Sequence, residues 1–243
     1  MNDLITISST CFQDAWKAAI NKLIEHKWSI WNLVVQIADP SEINEQFHAE
    51  MTSFAKSKGL ILPDQVAYTI FPFKLYKPGR TRERLYKAYK RYFDYTRTQD
   101  HRGWGTYFER MIWYCPSGKK EERFDQLGHI IDSINNRKVN YGSSYYMVIP
   151  YPKKQAKRIM GGPCLNYVTI QVEKTSDEAK TVNLLAVYRN HDFLERAYGN
   201  YYGLCKLLNY IASETDSNLG VVTCISSHAY VNSCRTDLCR LAT

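Results

Sequence analysis

The sequence predicts an α+β protein, a mixed or mostly antiparallel sheet with helices laid on it. Three observations predict it. Strand-like apolar runs cluster late in the chain, at "SYYMVIPYP", "LNYVTIQVEK" and "TVNLLAVYRN". Apolar residues at three- and four-residue steps fill the stretches before and after them. The turn "KTSDEAK" joins the last two runs too tightly for a helical crossover, so these two strands form an antiparallel hairpin.

The elements follow in order. "LITIS" reads as a short strand. "CFQDAWKAAINKLIEHK" carries Trp16, Ala19, Ile20, Leu23 and Ile24 at helical spacing, with a cap expected near Ser9 or Thr10. "SIWNLVVQI" is a strand, and Pro40 is expected to open a second helix running to about Lys58. "QVAYTIFPF" reads as extended. Thr81 is placed to cap a basic helix in which Leu85, Ala88, Tyr89, Tyr92 and Phe93 share one face. "TYFERMIWY" and "RFDQLGHIIDSINNR" read as helices. "YGNYYGLCKLLNYIASE" is a strongly apolar helix, and "LGVVTCISSHAYV" a closing strand.

At 243 residues the chain can bury a sizeable core, and one domain over 1–243 is expected. No apolar run approaches the ~20 residues of a membrane span. The N-terminus lacks a basic region followed by an apolar one, so no signal peptide is expected. Seven cysteines, an odd number with no CxxC and no zinc spacing, fit a reducing cytoplasm and no metal site. The net charge of +8 favours a phosphate-bearing partner, a nucleotide or a nucleic acid. Much of the excess lies on the basic helix, which reads as a solvated amphipathic helix or as an anion-facing one.

Candidate chemistry gathers in the last third. Cys164 follows Gly161-Gly162-Pro163 and precedes a strand. Arg189, Asp192 and Asn200 fall at spacings of three and eight, and His228 and Tyr230 share one face of a strand. Singly, each has a structural reading: a core thiol, a local ion pair, a cap, core hydrogen bonds.

In this order, the same residues resemble the thymidylate synthase and pyrimidine hydroxymethylase superfamily. The family nucleophile sits in Pro-Pro-Cys-His; here it is Gly162-Pro163-Cys164-Leu165. The family's Gln-Arg-Ser-x-Asp is followed eight residues on by Asn; here Tyr188-Arg189-Asn190-His191-Asp192 is followed eight on by Asn200. His-Ile-Tyr appears as His228-Ala229-Tyr230. "GWGTYFERMIW" is similar to the segment carrying the active-site Tyr, and "FDQLGHIIDSINNRK" with "YYMVIPYP" to the helix and strand before the nucleophile. The likeness covers about residues 103–231, and residues 1–102 form a divergent N-terminal part.

The resemblance implies a thiolate at Cys164 that adds to C6 of a pyrimidine nucleotide, making C5 nucleophilic toward a one-carbon unit from methylenetetrahydrofolate. It implies that Arg189 holds the phosphate and favours the thiolate. Asn200 reads the base edge, leaning toward uracil, while His228 and Tyr230 bond the sugar hydroxyl. Asp192 contacts the pterin ring, and Tyr107 helps a water move the C5 proton. The general acid/base carboxylate falls on Glu83, with Glu109 as the other candidate. A homodimer is implied as well. A catalytically silent nucleotide-binding relative is the alternative, and nucleic-acid binding through the basic helix a third reading.

The sequence departs from the family pattern at several points. No Arg pair stands near "NYGSSYYMV", where Ser143, Ser144 and Tyr145 occupy the region, with Arg137 and Lys138 a few residues earlier. Leu165 replaces the His after the nucleophile, and Leu194 and Arg196 stand among the residues replacing glycines. The chain ends 13 residues after Tyr230, so an open folate site is expected.

Overall fold

The structure, a computed structural model, describes residues 4–97, 104–136, 142, 145–151, 161–174 and 179–242. Arg137, Lys138, Ser143, Ser144 and hairpin residues 175–178 lie outside the described residues. One mixed sheet of seven strands organises the described residues.

The chain enters through β1 (Thr6–Ser9) and α1 (Phe12–Glu25), then β2 (Ser29–Ile37) parallel to β1. Helix α1 buries Trp16, Ala19, Ile20 and Leu23 together with Phe12, while Ile24, expected on the same face, is exposed. Its cap position is Cys11, which gives no side-chain hydrogen bond; the expected cap at Ser9 or Thr10 is corrected, since β1 runs on through Ser9. The second helix, α2 (Glu45–Ser57), does not open at Pro40. A turn seated on the Asp39 carboxylate occupies 39–42, and Asn44 caps the helix by accepting from Phe47 N–H at 3.0 Å.

"QVAYTIFPF" is the larger correction. It contributes most of α3 (Pro63–Ile70), a helix rather than an extended run. Pro63 at the first position, with Val66, Ala67 and Ile70 buried behind it, follows helical steps. The helix lies tightly along α7 (Ala197–Glu214). A Cβ on Gly199 would meet Val66 Cβ at 2.5 Å, and one on Gly203 would meet Ala67 O at 2.8 Å. Only glycine admits that approach, and it brings α3 to the wall of the cavity described below.

Helix α4 (Arg82–Arg97) starts directly after Thr81 and buries Leu85, Tyr89 and Phe93. Arg82 forks onto Asp132 of α6 (Gln126–Asn136) at 2.8 and 2.9 Å, which ties the two helices together. Between them lies α5 (Tyr107–Ile112), capped by Thr106. Strands β3 (Tyr145–Val148), β4 (Leu165–Lys174) and β5 (Lys180–Tyr188) run antiparallel in turn, and the expected hairpin pairs Lys174 with Lys180. A two-residue β6 (His191–Asp192) leads toward α7. Strand β7 (Asn218–Tyr230) returns through the middle of the sheet, antiparallel to β2 and parallel to β5 and β6. Helix α8 (Arg235–Ala242) closes the described chain.

Alternate residues of the central strands are buried, among them Leu33, Val35, Leu184, Ala186, Val222 and Cys224. Their neighbours form half-exposed rows across the sheet: Val34, Ile225, Val187 and Tyr167 are in register, as are Gln36, Thr223 and Leu185. Among the described residues, no helix is long and apolar enough to cross a membrane.

Candidate active site

The end of β7 organises the site. Because β6 pairs His191 with Ala229 and Asp192 with Tyr230, the segment after Arg189 is held beside the last turn of that strand. Phe193 N–H donates to Tyr230 O at 2.9 Å. Asp192 Oδ1 then accepts from the backbone N–H of Leu194 at 2.8 Å and Glu195 at 3.2 Å, turning the chain into α7. One turn into that helix sits Asn200.

A cavity of about 310 Å³ opens there. Five residues expected from the sequence line it: Cys164, Tyr107, Asp192, Asn200 and Tyr230. They arrive from four separate parts of the fold, the start of β4, helix α5, the β6–α7 segment and the end of β7.

Cys164 is presented by a shaped loop. Gly161 and Gly162 have φ of +87° and +88°, backbone angles that other residues rarely adopt. Arg189 then pins the loop, donating from Nε to Pro163 O and from Nη2 to Gly161 O, both at 3.2 Å. Its backbone N–H reaches Cys164 O at 2.9 Å. Arg189 therefore braces the nucleophile loop from outside the cavity lining and is itself exposed.

Burial pushes the Cys164 thiol up; Arg189 and Arg196 pull it down, and Asp192 opposes them. The Tyr107 hydroxyl lies against the same loop, accepting from Leu165 N–H at 3.5 Å. Burial raises that phenol to about 12, so it stays protonated at neutral pH.

His228 is placed differently from the expected contact with a sugar. Its two ring nitrogens are engaged by Ser29 Oγ at 3.0 Å and Asn190 Oδ1 at 2.9 Å. The ring is stacked between Trp31, 4.4 Å away, and Tyr230, 5.3 Å away. It supports Tyr230, which does line the cavity.

Glu83 is not brought to the site. It is exposed in the first turn of α4, where hydrogen bonds to its own N–H and to Thr81 hold its carboxyl low. Its expected place as the proton-handling carboxylate is corrected: the cavity wall that faces α3 carries Val66 and Thr69. Glu109 folds back over Gly105 and does not line the cavity either.

Several lining residues escaped the sequence reading. Glu195 and Arg196 occupy the α7 entrance, the Trp104 ring is tilted against Tyr107 with ring centres 5.1 Å apart, and His191 lies behind Asn200. Glu195 and Arg196 stand in the turn between Asp192 and the start of α7, three and four residues after Asp192. All seven cysteines are free thiols, and the described residues contain no cluster of three metal-ligating side chains.

The mixed sheet and this cavity define a fold of the thymidylate synthase type. Thymidylate synthase A from Bacillus subtilis superposes with a TM-score of 0.58 at 13% identity, over 96% of this chain and 84% of that one. In sequence, the chain is 27% identical over 139 residues to a Methanococcoides burtonii protein named "Putative thymidylate synthase". It is 29% identical over 107 residues to a Methanosarcina mazei protein of the same name. These matches cover 57% and 44% of this chain, which spans about half the length of the curated relatives it matches (53% and 46%). No family model matches the chain. The chain thus shares the fold of thymidylate synthase A and is similar in sequence to proteins named putative thymidylate synthase.

Proposed function

We propose that the chain binds a pyrimidine nucleotide and transfers a one-carbon unit, as methyl or hydroxymethyl, to C5 of the base through an adduct of Cys164 at C6. The observation that carries this reading is the convergence of Cys164, Tyr107, Asp192, Asn200 and Tyr230 on one cavity.

Cys164 attacks as the thiolate. Its sulfur bonds to C6, and the electron pair of the C5–C6 double bond moves toward C5 and the neighbouring carbonyl. After C5 has taken the one-carbon unit and given its proton to a base, the folate carrier would leave, hydride from that carrier (giving methyl) or water (giving hydroxymethyl) would add to the one-carbon unit, and expulsion of the Cys164 thiolate restores the C5–C6 double bond. Arg189 and Arg196 favour the thiolate and meet the nucleotide phosphate. Asn200 reads the base, and Tyr230 the sugar. Asp192 Oδ1 already accepts two backbone N–H groups, which leaves Glu195 as the cavity carboxylate free to take the proton, with Tyr107 ordering the water between.

Methylenetetrahydrofolate, when bound, supplies the one-carbon unit. The residues present fit its flat ring. The second oxygen of Asp192 remains available to ring N–H donors, and Trp104 offers an aromatic wall.

A second copy of the chain would cover the half-exposed rows around Ile225 and Val187, giving the homodimer that the resemblance implies; the cysteine usage favours a cytoplasmic protein. Nucleotide binding without turnover is the second reading. It is favoured by Val66 and Thr69, which leave the α3 wall of the cavity without a carboxylate, and by Glu83 lying outside the cavity.

The test is tritium release from C5-labelled uracil and cytosine monophosphates, ribose and deoxyribose, with methylenetetrahydrofolate. Release that disappears in Cys164→Ala is expected. No release from any of them, with binding intact, would support the second reading.

A further inference from the structure

Behind Asn200 runs a buried chain of polar groups that the proposed reaction does not use. Asn200 Nδ2 lies 3.0 Å from His191 Nε2, and His191 Nδ1 lies 2.8 Å from Ser226 Oγ. All three residues are buried, with Ser226 at 0%, His191 at 1% and Asn200 at 3% exposure. Asn200 borders the cavity, His191 touches its edge, and Ser226 lies behind it.

The His191 ring is packed face to face with Tyr188, ring centres 4.1 Å apart and 5° from parallel, and edge-on to Phe193 and Tyr201. It has no room to turn. Burial lowers its pKa to about 3, so it is neutral at physiological pH. A neutral imidazole donates from one nitrogen and accepts at the other. Which nitrogen donates decides which way the Asn200 amide must face.

We infer that Ser226 and His191 form a positioning relay that sets the base specificity of the site: His191 donates from Nδ1 to Ser226 and accepts at Nε2 from Asn200, so that Asn200 turns Oδ1 to the cavity. A carbonyl oxygen there accepts from a ring N–H. It selects a base protonated at N3, such as uracil, over one with a lone pair at N3, such as cytosine. The inference rests on the pyrimidine-binding reading and adds two residues to it, one of which never touches the ligand. Both act through Asn200.

Two measurements test it. In the free protein, ¹⁵N-edited NMR of the imidazoles reports the tautomer directly, with His191 assigned by its loss in His191→Leu. A protonated Nδ1 and bare Nε2 are expected; the opposite tautomer overturns the relay whatever the ligand proves to be. Calorimetric binding of uridine and cytidine monophosphates, in ribose and deoxyribose forms, then compares wild type with Ser226→Ala and His191→Leu. The uracil preference is expected to fall by about tenfold in each, the fold-change carried by one hydrogen bond of ordinary strength. A variant that merely loses packing weakens both nucleotides equally. An unchanged ratio in both variants, or a wild-type preference for cytosine, overturns the relay alone. A wild type that binds neither nucleotide overturns the pyrimidine reading beneath it.

Discussion

Arg189 donates from Nε to Pro163 O at 3.2 Å, one residue before Cys164, while its backbone N–H holds Cys164 O. The residue expected to grip a phosphate is thus also the brace of the nucleophile loop. Arg189→Lys keeps the charge and loses the fork of donors. Adduct formation at Cys164 is expected to slow by about 100-fold in this variant, the scale of a misplaced reacting group, even at saturating nucleotide. Stopped-flow or quenched mass spectrometry reads it. A change in affinity with no change in adduct rate would limit Arg189 to phosphate binding.

Gly203 faces Ala67 O so closely that an added Cβ would stand at 2.8 Å. Gly203→Ala must push α3 away from α7 and is expected to cost about 1–3 kcal/mol. For a chain of this size, the melting temperature drops by about 2–4 °C per kcal/mol. Thermal unfolding followed by circular dichroism checks it. An unaltered melting temperature would contradict the tight helix contact.

The Cys164 thiol lies above the ordinary range because burial outweighs the two arginines. The group is therefore mostly protonated at neutral pH, and its reactivity as a thiolate rises with pH, still climbing above pH ~8.5. Arg196→Gln removes one of the cations that lower it and is expected to shift the profile further upward. Iodoacetamide labelling, resolved by peptide mapping to Cys164, measures the curve. A plateau below pH 7 would contradict the balance of burial and charge.

Ile225 and Val187 stand side by side on the half-exposed face of the sheet. If a second copy covers that face, Ile225→Lys dissociates the dimer while leaving the fold intact. Sedimentation equilibrium is expected to show a dimer in the wild type and a monomer in the variant. A monomeric wild type would leave the site to a single chain.

Much of this was legible in the sequence because the informative signals were local. The antiparallel pairing of Leu165–Lys174 with Lys180–Tyr188 and the burial of Trp16, Ala19, Ile20, Leu23, Leu85, Tyr89 and Phe93 follow from spacing alone, while Ile24 and Tyr92 of the same expected faces are exposed. The convergence of Cys164, Asp192, Asn200, Tyr107 and Tyr230 on one cavity was legible only through their order along the chain. Helix α3 was missed because Val66, Tyr68, Ile70 and Phe71 also read as strand formers; the contact that decides for helix comes from Gly199 and Gly203, about 130 residues away. Glu83 was misplaced for a similar reason. A carboxylate on a helix is visible in sequence, but the direction its side chain takes is set by how α4 packs on α6. His191 carried no signal at all, since its partners Asn200 and Ser226 are joined to it only by the fold.

The central claim is that Cys164 forms a bond to C6 of a pyrimidine nucleotide. Incubation with 5-fluoropyrimidine nucleoside monophosphates and methylenetetrahydrofolate, followed by intact-mass and peptide mass spectrometry, tests it most directly. The account predicts a one-to-one covalent adduct on the peptide carrying Cys164, absent in Cys164→Ala. Full occupancy of the site by the nucleotide with no mass added to Cys164 would contradict it.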